Sequence, residues 1–435
     1  MRRFLRLVAV VLAVLTLAAC IGCSGNSTVS LGTSVGDAWS YRYKDIEVPI
    51  GVYINYLNIA YQNASSKYDG DDMTADSLIK DDNDKEVKVS DYVKSEAERY
   101  CKEYIVLQLD AKELLKGTNY AYTESDVDQY IDDYFGQMES MYSMYGYSYS
   151  RDTAYSSVSQ YGISKASYDA SIAYDYYRDA IFKGLYATGG KEEVKDDEIE
   201  KYFTDNYTHY RYVFASYKET VADASATDTD ATTETDVSDE KKAAYKKSFE
   251  SIAKATKSAE DFENGVLSYM KENEITSDPT SARTEVLDDS TAKEEILNAV
   301  KELKNNTAKV VEAEDGSGIY VVFKGDIKEY VDFMTVALPE TTTTEDADTA
   351  DNAENETSVD AENTENGDTD AESEEPTYSI NPVSSGVTRD TLLYASKDEA
   401  FKAYVKALVE KYDADIQANE KELAKYDVNM FIAQG

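Results

Sequence analysis

Between Glu340 and Pro376 the chain carries 15 Asp or Glu, no Lys or Arg, and little besides Thr, Ala, Asn and Ser. Such a stretch repels itself and has no apolar surface to bury, so it is expected to be disordered. A second stretch, Glu219 to Glu240, holds eight acids and again no base. The two gaps divide whatever folds, so the cores must be assembled from the pieces on either side. They read either as a cation-binding or repelling brush or as solvated insertions in loops. Over all 435 residues, 44 Lys plus Arg stand against 85 Asp plus Glu, a net charge of -41. That balance opposes phosphate backbones, so nucleic acid is excluded as a partner. One histidine, His209, and three cysteines, Cys20, Cys23 and Cys101, leave little for zinc sites, histidine triads or a disulfide framework. No cofactor and no metal are expected, and Cys101 reads as a small buried hydrophobe.

The N-terminal residues suggest an address. Arg2, Arg3 and Arg6 precede 13 residues, Leu7 to Ala19, without a charge. This is the order of a secretory signal, and it is shorter than the roughly 20 residues a membrane-spanning helix needs. Leu17-Ala18-Ala19-Cys20 resembles the bacterial lipobox, in which a cysteine is lipidated after cleavage before it. Cys20 is therefore the expected lipid anchor and the chain's attachment to the extracytoplasmic face of the cell membrane, ahead of Cys23, which would put Cys20 where an aliphatic residue belongs. Residues 1–19 read as signal peptide, and 20–37, rich in Ser, Gly and Thr, as a flexible tether.

Beyond the tether the pattern is helical. After an extended segment from Trp39 to Val48, apolar residues recur at helical spacing through Val52, Tyr53, Tyr56, Leu57 and Ala60. The same period runs from Ser90 to Lys116, closed by Gly117. Thr123-Glu124-Ser125-Asp126 is a helix start, and Ser164 or Ser167 can cap a further helix carrying Tyr168, Ile172, Tyr176, Ile181 and Leu185. A last helix spans Asp196 to Tyr202. The stretch from Met138 to Tyr161 holds more apolar residues than one helix face can bury. Its Met141, Tyr142, Met144 and Tyr145 are expected to bind substrate polypeptide. The 38 tyrosines, against 11 Phe and one Trp, read either as a surface of amphipathic rings or as ordinary core filling. Near the other end, Phe401, Tyr404, Val405, Leu408 and Tyr412 form one stripe on a helix from Asp398 to Tyr412. Val331 to Leu338 and Tyr378 to Leu393 read as strands flanking the acidic gap.

The succession resembles the N-terminal helical domain of the PrsA and SurA foldases. Tyr43-Lys44-Asp45-Ile46 stands as its first strand, EYIVLQLDAKELLKG as its long helix and YTESDVDQYI as the sequel. YGISKASYDASIAYDYYRDAIF and VKDDEIEKYFTDNY follow. From Tyr207 the chain resembles a parvulin-type peptidyl-prolyl isomerase domain. Arg211 to Ala215 takes the place of its first strand, and Asp239 to Lys257, Glu260 to Met270 and Ala292 to Leu303 the places of its helices. A hairpin of Lys309 to Ala313 and Ile319 to Lys324 follows. The resemblance implies an α+β chain. Its helical chaperone domain, 38–206, would be completed by the C-terminal segment 394–435. A parvulin-like domain, 207–330, would be inserted, followed by a strand extension, 331–393.

The resemblance also poses a catalytic question. Rotating an X-Pro bond means crossing a barrier of ~18–20 kcal/mol, which a shaped apolar pocket lowers by favouring the twisted amide. In the parvulin family two histidines frame that pocket. Here Tyr212 and Tyr320 occupy their positions, and Lys271 to Asp289 lacks the family's glycine-rich turn with its Met and Phe. His209, three residues before Tyr212, falls on the other face of an alternating strand and is expected at the surface. The expectation is a lipid-anchored foldase or chaperone for unfolded or nascent secreted polypeptides, its parvulin domain without catalytic residues. An active isomerase of the parvulin class, or a surface-binding lipoprotein on the same scaffold, are the alternatives.

Overall fold

The computed structural model describes residues 38–222, 232–331, 378–381 and 386–432. Cys20, the tether, residues 223–231 of the shorter acidic stretch and the segment 340–376 lie outside them. The chain is α+β and divides into two units, one running to Ile199 and resuming at Asp390, the other from Glu200 to Arg389.

The first unit begins with β1 (Trp39–Tyr43) and β2 (Ile46–Pro49), an antiparallel hairpin turning at Lys44-Asp45. The extended segment expected over Trp39 to Val48 is two strands joined by a turn. Lys44 adopts a left-handed φ of 52°, and this lets the chain reverse in two residues. Pro49, the last ladder residue opposite Trp39, has no N–H to donate, and α1 (Ile50–Ser65) starts at once. This helix is buried on nearly every side through Ala60, so it forms the axis of the unit. A short hairpin, β3 (Leu78–Lys80) and β4 (Glu86–Lys88), leads into α2 (Val89–Leu114). Then come α3 (Glu124–Met144), α4 (Arg151–Ser159) and α5 (Lys165–Tyr186), which Ser164 caps by accepting from the Ser167 N–H at 3.1 Å.

Small residues let α1 and α5 cross closely. A Cβ on Gly51 would lie 2.5 Å from Ser167 Oγ, and one turn on Asn55 Nδ2 donates to Ser171 Oγ at 2.8 Å. Cys101 is free and fully buried in α2. The boundary between the units falls within α6 (Asp196–Asn206), four residues longer than expected, with Phe203 buried and Tyr202 only half-buried.

The C-terminal segment packs on this first unit. Its helix α10 (Arg389–Tyr412) begins well before Asp398, so the strand expected over Tyr378 to Leu393 does not form. Leu392 and Leu393 are buried and extend the stripe of Phe401, Val405 and Leu408, which a helical period joins and an alternating one does not. Tyr394 stacks on Phe182 with centroids 4.2 Å apart, and Tyr404 Oη donates to Asp110 Oδ2 at 2.5 Å. The two-residue strand β11 (Gln417–Ala418) pairs antiparallel with β1, matching Ala418 to Tyr41. Two short helices, α11 (Glu420–Leu423) and α12 (Asn429–Ile432), follow. They carry Phe431 against Tyr61 and Tyr161.

The second unit is a four-stranded antiparallel sheet in the order β8-β5-β10-β9, built from β5 (Thr208–Ser216), β8 (Thr280–Glu285), β9 (Thr307–Glu312) and β10 (Gly318–Lys324). Alternation puts Val213, Ala215, Ile319, Val321 and Phe323 on one face. They pack there against α7 (Asp239–Ala255) and α8 (Ala259–Glu272) through Phe249, Phe262 and Val266. The other face carries Tyr210, Tyr320 and Val322 under α9 (Glu294–Glu302), which contributes Ile296, Ala299 and Val300. The flanks of the shorter acidic stretch pair as a hairpin of β6 (Lys218–Ala222) and β7 (Thr232–Asp236), and its last acids, Asp239 and Glu240, open α7 behind a Ser238 cap. Acids suit that helix terminus, where the dipole is positive. Tyr378 and Ile380, expected in a strand, instead pack as irregular chain against the α7/α8 side of the core. Beside them the Asn381 N–H donates to Asp278 Oδ2 at 2.9 Å. Val331 is not in a strand, and the rest of the strand expected to Leu338 lies outside the described residues.

Candidate functional site

Two places collect the residues that chemistry would use, one in each unit. In the helical unit it is the turn between α3 and α4. Helix α3 starts in a capping box, with the Thr123 N–H donating to Asp126 Oδ2 at 2.6 Å. Two residues past its last turn stands Gly146, whose φ of 75° lies in the left-handed region that favours glycine. There the Tyr147 N–H returns to the Tyr142 carbonyl and the Gly146 N–H to the Ser143 carbonyl, both at 3.0 Å. These paired bonds hold the tip in place and leave its side chains outward: Met144 is 79% exposed, Tyr145 75% and Tyr147 67%. Met141 and Tyr142 are half-buried, and the Tyr142 ring lies flat on Tyr149 at 4.6 Å. Below the tip, Arg151 lies over the Phe135 ring and donates to Asp132 Oδ1 and Tyr155 Oη, each at 2.5 Å. Tyr147 was not among the expected residues, although it lies only two positions past Tyr145 in the same run.

In the sheet unit the site is the face under α9. Tyr212 and Tyr320 share it, as alternation on paired antiparallel strands requires, and their rings meet edge-on with centroids 5.9 Å apart. Phe214, two residues after Tyr212, completes a three-ring surface at 4.6 Å from Tyr320, and Lys293 lies 5.9 Å over the Tyr320 ring. Below Tyr212, the buried Tyr210 hydroxyl donates to Glu285 Oε1 at 2.5 Å, and so does the Ser290 hydroxyl. Glu285 is itself buried, with Arg283 Nη1 3.7 Å from its other oxygen. Aromatic rings face this surface with a buried carboxylate beneath them, and no imidazole is among them.

His209 is the correction. It does lie on the face away from Tyr212, but it is fully buried there, not at the surface. The short helical turn Ile327–Tyr330 covers that end of β5, and the Tyr330 ring stacks on the imidazole at 3.6 Å. On the other side the His209 Nδ1 and Thr284 Oγ1 are 2.8 Å apart. Alternation gives the side of a strand but not what covers it. Among the described residues no group of His, Cys, Asp and Glu is placed to hold a metal, and no helix is long and apolar enough to cross a membrane.

Many of the tyrosines are core residues. Tyr56, Tyr100 and Tyr174 contact one another between α1, α2 and α5, at 5.2 to 5.9 Å. Burial raises the phenol of Tyr174 well above its ordinary value, with the Glu103 carboxylate adding to the shift. Burial also pushes Tyr207 and Tyr269 up to about 12. A phenol raised in the folded state contributes stability that is complete below ~10, its unfolded value, and is lost as the pH climbs through the folded one. In an alkaline titration, phenolate absorbance near 295 nm is expected to rise in two stages, exposed rings first. The second stage should coincide with loss of helical circular dichroism. A single transition near pH ~10 with helicity intact would contradict the burial described.

No protein-family model and no curated protein matches this chain. Among solved structures it is similar to the crystal structure of foldase protein PrsA from Streptococcus pneumoniae, at 11% identity and a TM-score of 0.28. That alignment covers 80% of this chain and 98% of the other.

Proposed function

We propose that this chain is a lipid-anchored, extracytoplasmic foldase or chaperone that holds unfolded polypeptide, with a parvulin-like unit that does not catalyse. The observation that carries the reading is the tip at Met144, Tyr145 and Tyr147. Large apolar side chains, two-thirds or more exposed and held by backbone bonds, are what a surface needs to accept unrelated apolar segments. Cys20, behind its basic and apolar leader, supports the anchor. On the sheet, Tyr320 is buried against Tyr212 and Phe214, so it has little surface to offer a prolyl bond, and this supports the absence of catalysis.

The test is suppression of aggregation of a reduced, unfolded client. The intact protein should delay aggregation, and the triple variant Met144→Ser, Tyr145→Ser, Tyr147→Ser should need about tenfold more protein for the same delay, with unchanged Tm. Equal potency of variant and parent would remove the tip from the proposal. In a protease-coupled proline-isomerisation assay no rate above background is expected. A rate that disappears in Tyr212→Ala or Tyr320→Ala would make the isomerase reading the correct one.

A further inference from the structure

We infer that a second binding site lies in the helical unit, in the cleft of about 650 Å³ between α2 and the start of α3, and that it takes a proline-bearing stretch of client polypeptide in the polyproline II conformation. This deepens the proposed function and rests on it. The buried Leu115 and Val127 give the cleft its apolar lining, and Tyr122 and Tyr177 line it with aromatic rings. These rings are fixed before any ligand arrives. Tyr104, Tyr177, Tyr122, Tyr176 and Tyr130 form a ladder of successive ring contacts, 6.0, 5.6, 5.3 and 5.3 Å between centroids. Rings already ordered lose little freedom on binding.

The hydroxyls point to the ligand chemistry. Among the described residues neither Tyr122 nor Tyr177 has a hydrogen-bond partner for its hydroxyl, although burial raises both phenols and keeps them as donors. A polyproline II segment has the matching need, because its carbonyls make no internal hydrogen bonds and its proline rings pack on aromatic faces. The other modes of peptide capture fit poorly. Only helices and a loop line the cleft, so there is no strand edge to extend. A helical ligand needs a continuous apolar trough, and here two lysines, Lys112 and Lys116, and two carboxylates, Glu124 and Asp128, interrupt it. Those charges cancel within a chain of net charge -41, and a locally neutral cleft suits an uncharged, proline-rich segment.

The experiment is fluorescence anisotropy of the full-length protein with a fluorescein-labelled peptide of repeated Ala-Pro-Pro, beside the same peptide with every proline replaced by alanine. Binding of the first should be at least about tenfold tighter, and Tyr122→Ser should weaken it about tenfold. Tyr122→Phe keeps the ring and protects against loss of fold, and it should weaken binding about threefold by deleting one hydrogen bond. Equal affinity for the two peptides, or unchanged affinity in both Tyr122 variants, overturns the site. The client used for aggregation suppression should contain no proline, so that the two readings fail separately. Suppression without peptide binding overturns only this cleft, and peptide binding without suppression overturns only the chaperone reading.

Discussion

Replacing Glu263 by alanine is expected to destabilise the sheet unit by about 3–5 kcal/mol, although Glu263 is 41% exposed. The reason is its partner. Arg211 extends from β5 under α8 with only 1% of its side chain exposed, and its Nη1 donates to Glu263 Oε1. Its other contact is a 3.3 Å bond from Nη2 to Thr280 Oγ1, and its Nε has no acceptor. Without Glu263 a guanidinium charge stays buried against one neutral hydroxyl, and that stranded charge is the source of the penalty. Removing both charges should restore most of the loss. Arg211→Met fills similar space without a charge, so the double variant Arg211→Met, Glu263→Ala should unfold within about 1.5 kcal/mol of the parent in urea. If Glu263→Ala unfolds at the parent's midpoint, the buried pair carries no weight in this fold.

In the helical unit the largest expected effect is Glu103→Ala, about 3 kcal/mol. Glu103 is a buried carboxylate in the middle of α2. It accepts from Arg99 Nη1 at 2.6 Å and from the Tyr174 hydroxyl, and Arg178 Nη1 lies 3.6 Å away. Alanine leaves the Tyr174 hydroxyl without its acceptor and two guanidinium groups facing a void. Arg99 keeps Glu96 as a partner at 2.7 Å, so the effect is set nearer the low end of the range for a broken buried pair. Glu103→Gln, which keeps an acceptor and loses the charge, should cost about half as much. Urea unfolding followed by circular dichroism checks this, since α2 and α5 supply much of the helical signal. A parent-like midpoint for Glu103→Ala would show that α2 and α5 are held by their apolar contacts alone.

The helices were legible because their information is local. Thr123 and Asp126 announce the start of α3 within four residues, and the stripe from Val93 to Leu115 defines α2 without reference to anything distant. Strand β8 was not legible. Thr280-Ser281-Ala282-Arg283-Thr284-Glu285 has no apolar alternation, and it is a strand because β5 supplies a partner ladder more than 60 residues away. The same limit hid the candidate site's lower half. Glu285 reads as an ordinary acidic residue until Tyr210 and Ser290 are found donating to it, whereas Tyr212, Phe214 and Tyr320 follow from alternation once the strands are placed. The start of α10 was missed for another reason. Its first residues fell inside the strand expected over Tyr378 to Leu393, and the two apolar residues Leu392 and Leu393 are too few by themselves to tell a helix from a strand.

The pairing of β1 with β11 sets an order of events. Tyr41 meets Ala418 across 377 positions of chain, while every strand pair of the four-stranded sheet closes within Thr208 to Lys324. During synthesis the inserted sheet can therefore finish while the hairpin at Trp39 still waits, one edge open, for the residues that will cover it. Nascent chains that have emerged from the ribosome past residue 324 but not as far as 389 would hold a sheet unit able to close and a helical unit lacking α10 and its last strand. Such nascent chains should be cut by protease among the first helices while Thr208 to Lys324 resists.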